Sequence, residues 1–204
     1  MNERTYLLKI KLLTIEPEIW RRFVVSAGIT LDRLHDVIQI VMGWNDYHLH
    51  EFTIGKKRYV ENPEYREDGT EDGMYRLIDL MKQKGRTFHY LYDFGDNWEH
   101  EITLEDSRYV NPEIQAAIEC LEGARACPPE DIGGVSGYYE FCEALEDPSN
   151  DEHESYKEWY GGFPWYGGVF KSEEYDIGRV NYELMKYLRW SRERLKPWKV
   201  SSGR

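Results

Sequence analysis

The sequence has no apolar run long enough to cross a bilayer. Its opening hydrophobic stretch, Tyr6-Leu7-Leu8-Lys9-Ile10-Lys11-Leu12, is interrupted by two lysines. That pattern predicts neither a signal-peptide core nor a membrane span, and a cytoplasmic location is the expectation that follows. Cysteine is scarce. Cys120, Cys127 and Cys142 are an odd number, which argues against a disulfide framework, and free thiols are expected in a reducing compartment. The spacing from Cys120 to Cys127 is too wide for a zinc knuckle, and no second pair follows. Basic residues are in the minority, 26 Lys and Arg against 38 Asp and Glu, for a net charge of −12. Such a chain repels phosphate backbones at long range, so non-specific nucleic-acid binding is disfavoured. The tail alone, with Arg189, Arg192, Arg194, Lys196, Lys199 and Arg204 interleaved with Trp190 and Trp198, offers a surface for a polyanion. Low-complexity stretches and short-period repeats are absent.

Complete catalytic motifs are also missing. Asp93-Phe94-Gly95 matches the metal-binding tripeptide of protein kinases, but no Gly-rich nucleotide loop or His-Arg-Asp loop accompanies it. A calcium loop counted from Asp93 reaches Leu104 at its twelfth position, where a bidentate carboxylate is required. One counted from Asp147 carries Ser149 at its third position and Glu152 where Gly is needed, so it reads as an exposed acidic loop.

Aromatics are abundant: 16 Tyr, 7 Trp and 7 Phe, enough large side chains to build a core despite the many charges. Tyr6 to Leu12 and Ile19 to Val25 read as a strand pair on either side of Pro17. Thr30 is a plausible N-cap for a helix in which Leu31, Leu34, Ile38, Val41 and Met42 recur at helical spacing up to Gly43. Tyr47 to Ile54 and Arg58 to Val60 predict another hairpin, followed by an exposed acidic loop from Glu61 to Gly73 and a short helix over 77–82. Phe88 to Tyr92 and His100 to Leu104 predict strands flanking an Asp93 to Asn97 bend. From Pro112 a loop carries Cys120, Gly123, Cys127 and Gly133-Gly134, and helices are expected near 137–145, 155–160 and 180–187. The order predicts an α+β fold: a mostly antiparallel sheet from N-terminal hairpins packed with helices, the C-terminal half mainly helical. We expect one domain over 1–204, β-rich across residues 1–112, loop- and helix-rich across residues 113–190, and ending in a basic tail at 191–204.

The densest polar and aromatic groups are His48-Leu49-His50, following Trp44, and Asp93 through His100, which includes Asp96 and Trp98. Side chains alternate between the faces of a strand, which would put His48 and His50 on one face and Trp98 and His100 on another. His48, His50, His100, Asp93 and Asp96 therefore form a candidate divalent-metal set, since imidazoles and carboxylates suit first-row ions. The competing reading is that these histidines hydrogen-bond to Asp93, Asp96 or backbone carbonyls and brace a Trp44/Trp98 aromatic core. Cys127, ahead of Pro128-Pro129-Glu130-Asp131, is either a packed thiol or a nucleophile. Gly133-Gly134 before a helix is either a simple turn or an anion cradle lacking the lysine of a phosphate loop.

Together these segments carry a resemblance. Ile15-Glu16-Pro17 through Arg22, Thr30-Leu31 with Leu34-His35, Met42-Gly43-Trp44 with His48 to Phe52, Tyr92 to His100, and Cys127 to Asp131 with Gly133-Gly134 occur in the order found in the plasmid pRiA4b ORF-3-like family. The similarity runs from near Tyr6 to about Leu184. It implies a small soluble protein, often associated with plasmids or transposons, in a family of unknown biochemical function; some relatives carry a transposon-passenger or resolvase-like label, for which this chain shows no recombinase motif. The leading expectation is a binding or interaction module with an unknown ligand or protein partner. Its candidate surface comprises Trp44, His48, His50, Asp93, Asp96, Trp98, His100, Cys127 and Asp131. Two alternatives stand beside it: a metal-dependent hydrolase-like enzyme using the histidine and aspartate set, and a mobile-element-associated nucleic-acid-binding protein acting through the tail.

Overall fold

The computed structural model describes residues 4–61, 63, 68–110, 117–163 and 168–194, with side chains to residue 189. Eight strands form one sheet in the order β5-β4-β3-β6-β7-β1-β2-β8. The strands are β1 (Thr5–Leu12), β2 (Trp20–Ser26), β3 (His50–Ile54), β4 (Lys57–Val60), β5 (Thr70–Glu71), β6 (Thr87–Tyr92), β7 (Trp98–Asp106) and β8 (Glu119–Ala124). Every pairing is antiparallel except β4 with the two-residue β5. Among the described residues five α-helices accompany the sheet: α1 (Leu31–Met42), α2 (Leu77–Leu80), α3 (Gly134–Glu146), α4 (His153–Gly161) and α5 (Ile177–Arg194). None of the described helices is long and apolar enough to cross a membrane.

Strict alternation makes the central strands half-buried. Tyr6, Leu8, Ile10 and Leu12 of β1 point inward, as do Phe88, Tyr90 and Tyr92 of β6 and Trp98, His100, Ile102 and Leu104 of β7. The outer face carries charge pairs instead, including Lys11 with Glu101 at 3.2 Å and Arg22 with Glu105 at 2.7 Å. These flank the ladder where water screens them, so they add little stability. Helix α1 buries Leu31, Leu34, Val37, Ile38 and Val41, and stops at Gly43, whose φ of 102° supplies the left-handed C-cap. Thr30 occupies the N-cap position with extended backbone, but its side chain makes no capping hydrogen bond. Nearly all the buried apolar residues of strands and helices form one continuous cluster.

Three expectations need correction. Residues 119–124 are a strand and not a loop: β8 pairs antiparallel with β2, and a Cβ on Gly123 would overlap the Tyr175 ring and the Arg21 stem. Close approach explains a glycine that broke the strand pattern in the sequence. The stretch 61–73 is not uniformly solvated, because Asp72 is buried. The strand expected from Tyr47 begins only at His50, which removes His48 from the alternation. Helices α3 to α5 do lie in the second half, which also supplies β8. Of the basic tail, Lys196, Trp198, Lys199 and Arg204 lie outside the described residues, and the side chains of Trp190, Arg192 and Arg194 likewise.

Candidate functional site

Three chain segments meet beyond the ends of β6 and β7: the Gly43–Leu49 loop after α1, the Asp93–Asn97 bend, and the 128–134 stretch ahead of α3. Specific hydrogen bonds tie each to another. Trp44 Nε1 donates to the Pro128 carbonyl at 3.0 Å, and the Asn45 amide donates to Glu130 Oε1 at 2.8 Å. The Asp93 amide donates to the Leu49 carbonyl at 3.0 Å, and the Gly133 amide donates to Asp96 Oδ2 at 3.1 Å. These bonds satisfy backbone groups between loops and fix the loops relative to one another.

At the junction His48 Nε2 lies 3.1 Å from Asp131 Oδ1, 3.6 Å from Asp93 Oδ2 and 3.8 Å from Glu130 Oε2. The side chains of Asp93 and Glu130 are only 8% and 4% exposed, whereas Asp131 is 66% exposed and closes the outer side. The Nε2 atom itself is buried and makes no hydrogen bond, although Asp131 Oδ1 stands 3.1 Å away. Donor atoms of His48, Asp93 and Asp131 all lie within 4.8 Å of one another.

Each acid is oriented by its neighbours. Asp93 Oδ1 accepts from the amides of Gly95 at 2.8 Å and Asp96 at 3.3 Å, an Asx turn that leaves Oδ2 facing His48. Tyr47 N–H donates to the Tyr92 hydroxyl, which in turn donates to Glu130. Burial pushes the Glu130 carboxyl above the usual carboxylate range, against the Asn45 amide and the Tyr92 hydroxyl, which pull it down. Burial beside Glu130 likewise raises the Tyr92 phenol. Asp93 and Asp131 adopt φ of 56° and 58°, a left-handed conformation that aspartate tolerates better than most residues.

The other candidate residues fall elsewhere. His50 points into the core, where its Nε2 meets Asp72 Oδ2 at 2.8 Å and its ring stacks on His35 at 3.6 Å between centroids. His35 belongs to a closed hydrogen-bonded ring. Gln39 Nε2 donates to the Tyr90 hydroxyl at 3.0 Å; Tyr90 donates to His35 Nδ1 at 2.7 Å; His35 Nε2 donates to Asp46 at 2.8 Å; and the Asp46 amide returns to Gln39 Oε1 at 2.9 Å. The ring closes with the Nε2–H tautomer of His35. His100 is wholly buried against Trp44, its Nδ1 facing the Tyr90 carbonyl at 3.3 Å, and burial drives its imidazole down to about 3. Of the five residues in the metal set read from sequence, only two share one cluster in the structure. His48 and Asp93 stay together, while His50 and His100 brace the core and Asp96 is spent on the Gly133 amide.

That same bond occupies an amide of the expected anion cradle at Gly133-Gly134. Trp98 is a core residue, and Trp44 packs against Tyr92 while anchoring Pro128. Cys127 is half-buried with its thiol pushed up by burial, the opposite of an activated nucleophile. It lines an open cleft of about 660 Å³ with Trp44, Asn45, Phe170 and Tyr175. Arg21 also lines that cleft, but its guanidinium is committed to four hydrogen bonds with the carbonyls of Val41, Trp20, Ala124 and Arg125. Sequence reasoning missed Glu130, Asp72 and His35 as members of these assemblies. Glu130 sits in an irregular stretch with no periodicity to reveal its burial; only its place beside Asp131 was available as a signal.

The model of the plasmid pRiA4b ORF-3-like protein family matches residues 4–181. Uncharacterized protein y4hQ of Sinorhizobium fredii (strain NBRC 101917 / NGR234) is 40% identical over 180 residues, 87% of each chain. The crystal structure of MM3350 from Methanosarcina mazei Go1, a protein of unknown function, superposes with a TM-score of 0.74 at 33% identity, covering 87% of this chain and 98% of that one. The match spans the sheet and the three loops that meet at His48, and the chain belongs to the plasmid pRiA4b ORF-3-like family.

Proposed function

We propose that the protein is a binding module, and that it captures a positively charged ligand at the junction of the Gly43–Leu49 loop, the Asp93–Asn97 bend and the 128–134 stretch. One observation carries the reading: three carboxylates, two of them with almost fully buried side chains, converge on one imidazole nitrogen at 3.1–3.8 Å. Like charges brought together in a poorly solvated place raise each other's energy, and a cation relieves that cost. Among the described residues no lysine or arginine ion-pairs with Asp93 or Asp131. The loops are tied together by hydrogen bonds between side chains and backbone, so a ligand would meet a site that is already formed and lose little affinity to ordering.

The test uses the chain's own tryptophan, since Trp44 is bonded to Pro128 beside the site. Titration of the full chain with Mg²⁺, Mn²⁺, Zn²⁺, spermidine and an arginine-rich peptide should give a saturable fluorescence change with at least one of them. The response should vanish in Asp131→Asn and persist in Glu154→Gln on α4. Silence across the panel, or a response unchanged in Asp131→Asn, would overturn the proposal.

A further inference from the structure

Building on the cation-binding reading above, we infer that the ligand is a single divalent first-row transition-metal ion, held by His48 Nε2, Asp93 Oδ2 and Asp131 Oδ1 with Glu130 Oε2 in reach as a fourth donor. The spacing of the donors is the first argument. Adjacent ligand atoms at about 2.0–2.2 Å from one ion stand roughly 2.8–3.6 Å from each other in tetrahedral or octahedral arrangements, and opposite ones in an octahedron about 4.0–4.4 Å. The separations from Nε2 are 3.1 Å to Asp131, 3.6 Å to Asp93 and 3.8 Å to Glu130, and the donor atoms of His48, Asp93 and Asp131 all lie within 4.8 Å of one another, so adjustment of the side chains brings them onto one ion.

The second argument is the orphaned nitrogen. Nε2 is buried and makes no hydrogen bond despite having three carboxylates around it. A hydrogen bond would need the N–H aimed at one oxygen, whereas a metal accepts the lone pair into the space between all of them. A partner's ammonium or guanidinium group could donate to that lone pair, but only a metal ion engages the lone pair and the carboxylate oxygens around it at a single centre.

The third argument concerns how the donors are held. Asp93 Oδ1 is fixed by two backbone amides, and Glu130 by the Asn45 amide and the Tyr92 hydroxyl, an outer layer of hydrogen bonds of the kind that orients metal ligands. One imidazole with two or three carboxylates suits Mn²⁺, Fe²⁺, Co²⁺ or Zn²⁺ better than Ca²⁺, which prefers six to eight oxygens, or Cu⁺, which prefers sulfur. Asp131 and the partly exposed His48 form the outer side, where a water molecule or a second ligand can complete the coordination.

The experiment is calorimetric titration of the chelator-treated full chain with Mn²⁺ and Zn²⁺, paired with electron paramagnetic resonance of bound Mn²⁺. One ion per chain is expected. His48→Ala and Asp131→Asn should each weaken binding by at least about tenfold, and both variants should keep the wild-type circular dichroism, because neither residue belongs to the core. In labelled protein, Zn²⁺ should move the ¹⁵N resonance of His48 Nε2 and leave those of His35 and His100 in place. No stoichiometric binding by the wild type, or equal affinity in both variants, would overturn the inference. If metals fail while spermidine or the arginine-rich peptide binds in an Asp131-dependent way, the metal assignment falls and the cation-binding reading stands. If none binds, both fall.

Discussion

His48 and His50 are two residues apart and both face carboxylates, yet their surroundings differ in nearly every respect. His50 is sealed in the core with its side chain and that of Asp72 each 3% exposed, stacked on His35 and covered by Phe52 and Tyr90. His48 stands at a junction of loops with three carboxylates, one of which is open to solvent. One carboxylate per imidazole, out of water, makes a structural pair: His50 Nε2 and Asp72 satisfy each other, while His50 Nδ1 makes no hydrogen bond and faces no carboxylate. Several carboxylates for one imidazole, at the surface, leave charge uncompensated within the pair and are suited to binding something. The number of acids and their access to water, more than the presence of histidine, separate the two roles.

Breaking the buried pair should have the largest effect. Asp72→Ala leaves His50 Nε2 without its partner in the core and should lower unfolding free energy by about 3 kcal/mol, read as a shift of the urea midpoint at constant slope. His48→Ala, in contrast, should change that midpoint little. If the two substitutions cost the same, the distinction between core and surface assemblies fails.

Acid should act on the core side of the comparison through His100. Its folded value is depressed from 6.5 to about 3, so between those limits the unfolded chain takes up a proton that the folded chain refuses. Stability contributed by this group is present above pH 6.5 and is lost as pH falls toward 3, by up to about 1.4 kcal/mol per pH unit. His100→Leu should flatten that slope in chemical denaturation at pH 4 to 7. Removing both weakly satisfied ring nitrogens costs little at neutral pH, and an unchanged slope would assign the acid sensitivity to other groups.

Smaller effects are expected at the junction. A Cβ at Gly134 would stand 2.8 Å from the Asp96 carbonyl, and the residue has φ of 69°. Gly134→Ala should therefore cost about 1–3 kcal/mol and, by displacing the 131–134 stretch, weaken ligand capture as well; thermal unfolding and the tryptophan titration read the two effects separately. Asp131→Asn should be the mildest. Its removal of one charge from a crowded set should leave ligand-free stability within about 0.5 kcal/mol of wild type, with any change in the stabilising direction. Marked destabilisation would make Asp131 a structural residue.

The sheet was legible where periodicity was clean. Phe88-His89-Tyr90-Leu91-Tyr92 and the residues after Trp98 alternate, and β6 and β7 form where that alternation predicts. Helix α1 was legible from its apolar spacing and Gly43. β8 was not, because Gly123 reads as a loop residue until Tyr175 and Arg21 are known to press against it. For the candidate site, the sequence marked segments that meet in the fold but not which of their residues face one another. Alternation governs only residues inside a strand, and β3 starts at His50, so the parity argument did not extend to His48. Asp72 looked like one more residue of a solvated acidic loop, and nothing local could distinguish it as the partner of a core histidine.

By itself, then, the sequence determined a sheet-and-helix protein with an aromatic core, no apolar membrane-spanning run, and a polar signature confined to the segments around His48, Asp93 and Cys127 to Asp131. These follow from local patterning and composition, which act through residues near one another in the chain. Tertiary structure alone decided which histidine meets which acid. Loop trajectories set by long-range ties such as Trp44 to Pro128 and Asp96 to Gly133 bring His48 to Asp93, Glu130 and Asp131, and turn His50 and His100 toward the core. Burial and proximity across more than 80 positions of sequence, from residue 48 to residue 131, are properties of the packed chain that no local spacing encodes.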